Sequence, residues 1–521
     1  MSKHATLPSS YVELCSALRE AATIGSVAAL VGWDQETYMP PAGSAFRSEQ
    51  QATLASLTHE RKTNPRIADL LAACEGDGGV MGDAARAANI REIRRDYSLA
   101  TKLPKELVTE LARVGSLAQD AWKKARADDD FKGFAPWLEK MFELQRQKAK
   151  CYGVPKGGEL YDALLDEYEP GATAVQVTAT FNPLRDRLTD LIMRVESAKK
   201  TVKVPTACLK AKIPADKQHA LGLMVMKSIG FDLDAGRLDT TTHPFCSGMA
   251  PGDTRLTTRY QDQAFTDALY STMHEAGHGL YEQGLPKLPP ATSNNGTIDL
   301  FGTPLADAIS LGMHESQSRM WENFVGRSLP FWKWLLPKST KIVGTALSKY
   351  KPETLYKAVN TVTPSLIRVE SDEATYNMHV MIRFEIERAL VAGDLKVADL
   401  PATWNRKYKD YLGVKVPDDR RGCLQDVHWS FGLVGYFPTY TLGNLYAAQF
   451  WEKINADIPD LAKQHAKGQF GPLLEWLRTN IHRHGRRYHA AELCERVTGK
   501  LLTSEALLRH LEGRAADVYR L

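Results

Sequence analysis

Residues 261–283 read QDQAFTDALYSTMHEAGHGLYEQ, one helical pattern free of proline with an apolar stripe at Phe265, Leu269, Met273 and Leu280. His274 and His278 are four residues apart, so on a helix both imidazoles leave one face and reach a single ion. Glu275, directly after the first histidine, is placed to hold a water activated by that ion and to take its proton as general base. Chance puts an H-E-x-x-H pattern in a chain of this length and histidine content about 2% of the time. His274-Glu275-Ala276-Gly277-His278 is therefore read as a zinc-hydrolase motif.

A catalytic zinc takes three protein ligands and keeps one position open. Downstream candidates for the third are Asp299, Asp307, His314 and Glu315. Residues 306–323 again look helical, and within them His314-Glu315-Ser316-Gln317-Ser318-Arg319 forms a polar run. Spacing alone allows either His314 or Glu315. The metzincin pattern needs a histidine at position 284, which is Gly284.

Around this motif most of the chain reads as helix. Residues 11–31 show helical spacing, a helix opens at Pro104 and runs to about position 126, and Thr503-Ser504-Glu505 opens a last one with Gly513 as its break point. Loops are expected at 75–83, 127–134 and 155–159. One stretch departs from the habit. After the Thr/Pro/Gly-rich residues 240–253, Asp253-Thr254-Arg255-Leu256-Thr257-Thr258-Arg259-Tyr260 alternates, which predicts a short strand with a charged face beside the metal helix. Such a strand can offer its edge to an extended peptide.

Composition narrows the rest. The chain has 521 residues, 43% hydrophobic and 25% charged, with a net charge of +4 from 66 basic and 62 acidic residues. That is globular, and it gives no basis for a nucleic-acid partner. Seven scattered cysteines without a CxxC pair argue for reduced thiols. The N-terminus lacks a secretory signal, and its longest apolar run, residues 27–33, is too short to span a bilayer. A cytoplasmic protein without membrane attachment is expected.

Taken together, the segments resemble the carboxypeptidase Taq family of zinc metallocarboxypeptidases. The resemblance is carried by HEAGHGLYEQG at 274–284 and His314-Glu315-Ser316-Gln317-Ser318-Arg319. His243-Pro244-Phe245 and Asp253-Thr254-Arg255-Leu256-Thr257 precede them, and Ile367-Arg368-Val369-Glu370-Ser371-Asp372 and Gly422-Cys423-Leu424-Gln425-Asp426-Val427-His428-Trp429 follow, in the family's order. Trp33-Asp34-Gln35-Glu36 resembles the family's opening segment. The resemblance implies an all-α fold with a deep groove, similar in architecture to the angiotensin-converting and thimet-type peptidases. It implies a single peptidase domain over 1–521 with two helical lobes flanking the groove and a small β hairpin or sheet beside the site. It also implies a homodimer, one zinc (sometimes cobalt) per subunit, and peptide substrates with a free C-terminal carboxylate.

The resemblance makes Glu315 the third ligand beside His274 and His278. By analogy with related helical zincins, His428 and Tyr440 serve the oxyanion, with Tyr436 as second choice. Arg368, inside a family motif, is the first candidate for the substrate carboxylate, because a guanidinium fork suits it. Arg255 and Arg259 are alternatives. His243 and Asp253 are expected to line the groove, and Asp372 or Glu373 to orient a metal-bound histidine. Two departures stand out: Ser371 replaces the family's alanine, and residues 287–296 add a Pro/Asn/Gly-rich loop that could border the groove. Alternatives to a metallocarboxypeptidase are a helical zinc oligopeptidase, a dipeptidyl carboxypeptidase, or a non-catalytic peptide-binding protein on the same fold.

Overall fold

The Phe265–Gly284 helix, here called the metal helix, is surrounded on all sides. In the computed structural model, which describes residues 7–288 and 299–521, it packs against the Ala215–Ile229 helix, a small sheet, and the Leu311–Arg319 helix with its continuation. Its predicted stripe of Phe265, Leu269, Met273 and Leu280 is buried, as are Ala276, Gly277 and Gly279. The small residues inside the motif have a steric reason. A Cβ on Gly277 would lie 2.6 Å from the Gln317 carbonyl oxygen and 2.7 Å from Ser318 Cα, so the backbone of the Leu311–Arg319 helix crosses directly over this point. Gly443 plays the same part from the third side. On the Pro438–Asp457 helix, its Cβ would meet Glu315 Cβ and Cγ at 2.7 Å. Three helices thus meet at near-backbone contact around the motif.

The sheet beside them has strands β1 (Gly236–Thr240), β2 (Cys246–Ala250) and β3 (Asp253–Thr258) in the order β1-β3-β2. β2 and β3 form the expected hairpin, with Cys246 opposite Leu256. β1 adds a parallel partner with Arg237 opposite Arg255, making the sheet mixed. Thr254, Leu256 and Thr258 are buried, and Leu256 lies against Gly279 of the metal helix. The other edge of β2 is unpaired among the described residues.

The N-terminal hairpin, α1 (Ser9–Thr37) and α2 (Ser44–Lys62), leads into a separate small core of Tyr11, Leu14, Cys15, Ile67, Leu70, Leu71, Cys74, Val80, Ile90 and Ile93. The main core runs from Ala118 to Tyr519. By length and composition alone, α1 is long and apolar enough to cross a membrane. Its last turn is tied to the sheet: Trp33 lies under the guanidinium groups of Arg255 (4.4 Å) and Arg237 (5.2 Å), and the Tyr38 hydroxyl donates to Asp239 at 2.6 Å.

Several boundaries differ from the sequence pattern for local reasons. The loop expected at 127–134 shrinks to two residues, because Asp129 adopts a left-handed conformation (φ 59°) and Asp130 caps the next helix at Gly133. Asp77 accepts from Gly79 and Val80 and winds a turn of helix, Gly78–Met81, inside the loop expected at 75–83. The last helix, Glu505–Tyr519, passes through Gly513 unbroken. Most of the 287–296 loop lies outside the described residues. The crossing at Gly277 yields a prediction: Gly277→Ala lowers stability by about 1–3 kcal/mol, despite the better helix propensity of alanine, as read by denaturant unfolding.

Candidate metal centre

His274 and His278 project from the metal helix as their spacing requires, and Glu315 comes from the neighbouring helix. Nε2 of each histidine lies 3.5 Å from Glu315 Oε2, and the three ligand atoms fall within 4.8 Å of one another. Two imidazole nitrogens and one carboxylate oxygen converging so closely fit a divalent cation of borderline softness. Burial works against the Glu315 carboxylate, but Arg319, His274 and His278 outweigh it and hold its carboxyl well below the ordinary value. Arg319 Nε donates to Glu315 Oε1 at 2.7 Å, and Ser318 Oγ to Oε2 at 2.9 Å.

His314, the alternative ligand by spacing, does something else. Its ring stacks on His278 at 4.4 Å between centroids, and its Nε2 is 3.0 Å from Glu282 Oε1. Lys287 donates to the other oxygen of Glu282 at 2.6 Å. The Glu282 group therefore props the back of His278 through His314.

The acceptor that orients His274 is Glu322, whose Oε2 lies 2.9 Å from His274 Nδ1. Neither residue expected in that role fills it. Asp372 caps the Glu373–Ala392 helix by accepting from Ala374 and Thr375, and Glu373 is bound to His510 and Arg514. Glu322 sits in a π-helical segment, Met320–Gly326, that continues the Leu311–Arg319 helix. Such bulges frequently accompany functional sites. At the start of that helix, Glu169 accepts from the Gly312 N–H at 3.1 Å and from the Tyr446 hydroxyl at 3.0 Å, a buried carboxylate at the positive end of the peptide dipoles.

Glu275 is 7% exposed. Burial pushes its carboxyl up to about 7, with Glu315 and Glu322 adding to the effect against His274 and Arg319. A bound cation lowers it again, since its charge dominates the local field.

The downstream residues form a second cluster. His428 Nε2 lies 3.3 Å from the Tyr440 hydroxyl, and the Tyr436 ring sits 5.5 Å from the imidazole. Burial, reinforced by Arg368 and Arg383 against Asp426, pulls His428 down to about 3, so the imidazole is neutral. Arg368 is nearly buried. Its Nε and Nη2 donate to Asp426 Oδ1 at 3.2 and 2.9 Å, and its Nη1 donates to the Tyr376 hydroxyl at 3.1 Å. Arg383 takes the other oxygen of Asp426. Among the described residues this leaves the end-on fork of Arg368 without a full set of partners. Ser371, the departure from the family pattern, donates to the Arg368 carbonyl and closes the turn around it.

Other expected groove residues lie apart from this cluster. Arg255 is held by both oxygens of Asp253, at 2.8 and 2.9 Å, and by the face of Trp33. His243 is exposed in the connection between β1 and β2, and among the described residues no hydrogen bond ties it to the metal cluster. The Trp33, Arg255 and Asp253 segments thus belong to one joint between α1 and the sheet.

A helix carrying HExxH, a third ligand from the next helix and a histidine–tyrosine cluster behind it define a helical metallopeptidase. The chain belongs to the carboxypeptidase Taq (M32) metallopeptidase family, whose sequence model matches residues 13–515, and the protein is a metallocarboxypeptidase. It is similar to thermostable carboxypeptidase 1 of Thermus thermophilus, 44% identical over 99% of this chain and 100% of that one. Carboxypeptidase 1 of Bacillus subtilis is 34% identical over 98% of each. The crystal structure of the M32 carboxypeptidase from Deinococcus radiodurans superposes with a TM-score of 0.92 at 40% identity, covering 99% of this chain and 100% of that one.

The acceptor role of Glu322 is testable. Glu322→Gln lowers metal affinity about 10–100-fold, as measured by competition with a chelator, while Glu373→Gln leaves it unchanged.

Proposed function

We propose that this protein removes single residues from peptide C-termini with one zinc ion held by His274 Nε2, His278 Nε2 and Glu315. The convergence of those three donors beside Glu275 carries the reading. Zinc supplies a Lewis acid that acidifies the attacking water and polarises the scissile carbonyl. Glu275, at the next position of the same helix, takes the water's proton and passes it to the leaving amine. Its enclosure, at 7% exposed, keeps bulk water from competing for that proton.

Negative charge develops on the carbonyl oxygen as water adds. Tyr440 and His428 are the groups that serve it, with Tyr436 next in reach, and their 3.3 Å contact keeps the two together. Arg368 grips the substrate's terminal carboxylate. Asp426 fixes its guanidinium from one side and Tyr376 from another, so the fork is pre-organised rather than mobile. Asp426 and Trp33 engage Arg368 and Arg255 in different ways, and only Arg368 shares a cluster with His428 and Tyr440. Peptides approaching in extended form suit the unpaired edge of β2. Seven cysteines without a disulfide suit a reducing compartment such as the cytoplasm. The homodimer belongs to this reading through family resemblance.

Two substrates separate this function from an endopeptidase of similar build. The protein hydrolyses an N-blocked dipeptide with a free carboxylate and spares an internally quenched peptide whose C-terminus is amidated. Cleavage of the amidated peptide alone overturns the assignment, and release of dipeptides from longer substrates replaces it with a dipeptidyl carboxypeptidase. Chelation abolishes the activity, and zinc or cobalt restores it. Glu275→Gln lowers kcat about 10²–10⁴-fold with metal still bound. Arg368→Ala lowers kcat/KM about a hundredfold, mainly through KM.

A further inference from the structure

Glu387 lies in the Glu373–Ala392 helix and is fully enclosed. Its Oε1 accepts from Trp429 Nε1 at 2.7 Å, and its Oε2 accepts from the Tyr161 hydroxyl at 2.7 Å and from the Gly435 backbone N–H at 3.1 Å. Among the described residues no lysine or arginine is hydrogen-bonded to it; Arg383 acts on it only through space. Burial pushes its carboxyl up to about 7, against the pull of its three donors. A carboxylate in such a place is costly, and an apolar side chain of similar volume would fill the space without that cost. Its hydrogen bonds are therefore the feature to explain.

Trp429 and Gly435 are the two ends of one turn. His428 directly precedes it and Tyr436 directly follows it. The turn depends on glycine: Gly432 and Gly435 have φ of 76° and 90°, and a Cβ on Gly435 would lie 2.8 Å from backbone atoms of Leu164 and Leu165. Tyr161 belongs to the same short helix, Leu160–Leu165, and Tyr168 just beyond it meets the Tyr436 ring edge-on at 5.2 Å. One carboxylate thus clasps both ends of the turn and fastens it to the helix on which it rests.

We infer that Glu387 is a positioning residue for peptide hydrolysis, setting where His428 and Tyr436 meet the substrate by holding the 429–435 turn closed. This rests on the roles given above to His428 and Tyr436. The Trp429 indole N–H and the Gly435 N–H can only donate, and they sit on different oxygens. Glu387→Gln is nearly isosteric, yet in either amide orientation it turns an NH2 toward one of those donors and releases one end of the turn.

The test compares the wild type, Glu387→Gln, His428→Ala and the double variant on the N-blocked dipeptide, with metal content and thermal unfolding measured in parallel. Glu387→Gln is expected to lower kcat about tenfold or more with KM and bound metal unchanged. In the His428→Ala background the same substitution is expected to lower kcat by a clearly smaller factor, because the group it positions is gone. A wild-type kcat for Glu387→Gln overturns the inference, as does an equal factor in both backgrounds or a matching loss of metal. If Glu387→Gln does not fold, Trp429→Phe removes one donor while keeping a ring in place and is read by the same criteria. A wild-type kcat for His428→Ala overturns the role of His428 and the inference with it. A loss with His428→Ala and none with Glu387→Gln overturns the inference alone.

Discussion

Glu315 is buried in a site where it must remain an anion, and its neighbours are chosen by that requirement. Two imidazoles face one of its oxygens, Arg319 donates to the other, and Ser318 adds a hydroxyl. Arg319 in turn needs Glu322, which needs Arg327, and Glu322 at the same time orients His274. A buried charge paired this way is held by the cost of leaving any member alone. The network therefore specifies geometry more than it adds stability. Its alternating signs keep the region near balance, so a divalent cation meets a centre already shaped for it.

The electrostatic division of labour extends outward. Asp426 sits between Arg368 and Arg383 and keeps two guanidinium groups in fixed poses beside a neutral imidazole. Glu387 and Glu169, by contrast, are carboxyls held mainly by neutral donors, and burial pushes each up to about 7. The ionic pairs fix side chains around the metal-ligand cluster and beside His428. These two carboxyls, bonded to neutral donors, brace other segments: the 429–435 turn in one case, and the start of the Leu311–Arg319 helix in the other.

How much of this is legible in the sequence depends on how local each cause is. The metal helix is, because period and ligand spacing lie within one turn: His274, Glu275 and His278 are where the pattern puts them. The strand from Asp253 is also legible, through alternation, but its parallel partner β1 is not, since that pairing joins residues 18 apart across an intervening strand. Glu322 escapes because a π-helical segment shifts its direction, and no residue pattern announces that shift. The surroundings of Arg255 are hidden for the opposite reason. Its motif is plain, but its partner Trp33 lies in α1, more than 200 residues earlier, and contact across that distance is set by the fold. Glu387 has no signal at all, because its meaning comes from two donors at the ends of a distant turn.

The glycine at 443 bears on motion. With no side chain there, the Pro438–Asp457 helix, which carries Tyr440, seats directly on the methylene stem of Glu315. Interlocked surfaces at this separation do not slide past each other, since a packed interface has discrete fits rather than a continuum. Glu315 and the helix that carries Tyr440 are consequently locked at one spacing. A substitution that adds volume at position 443 would therefore displace a metal-ligand candidate and Tyr440 together.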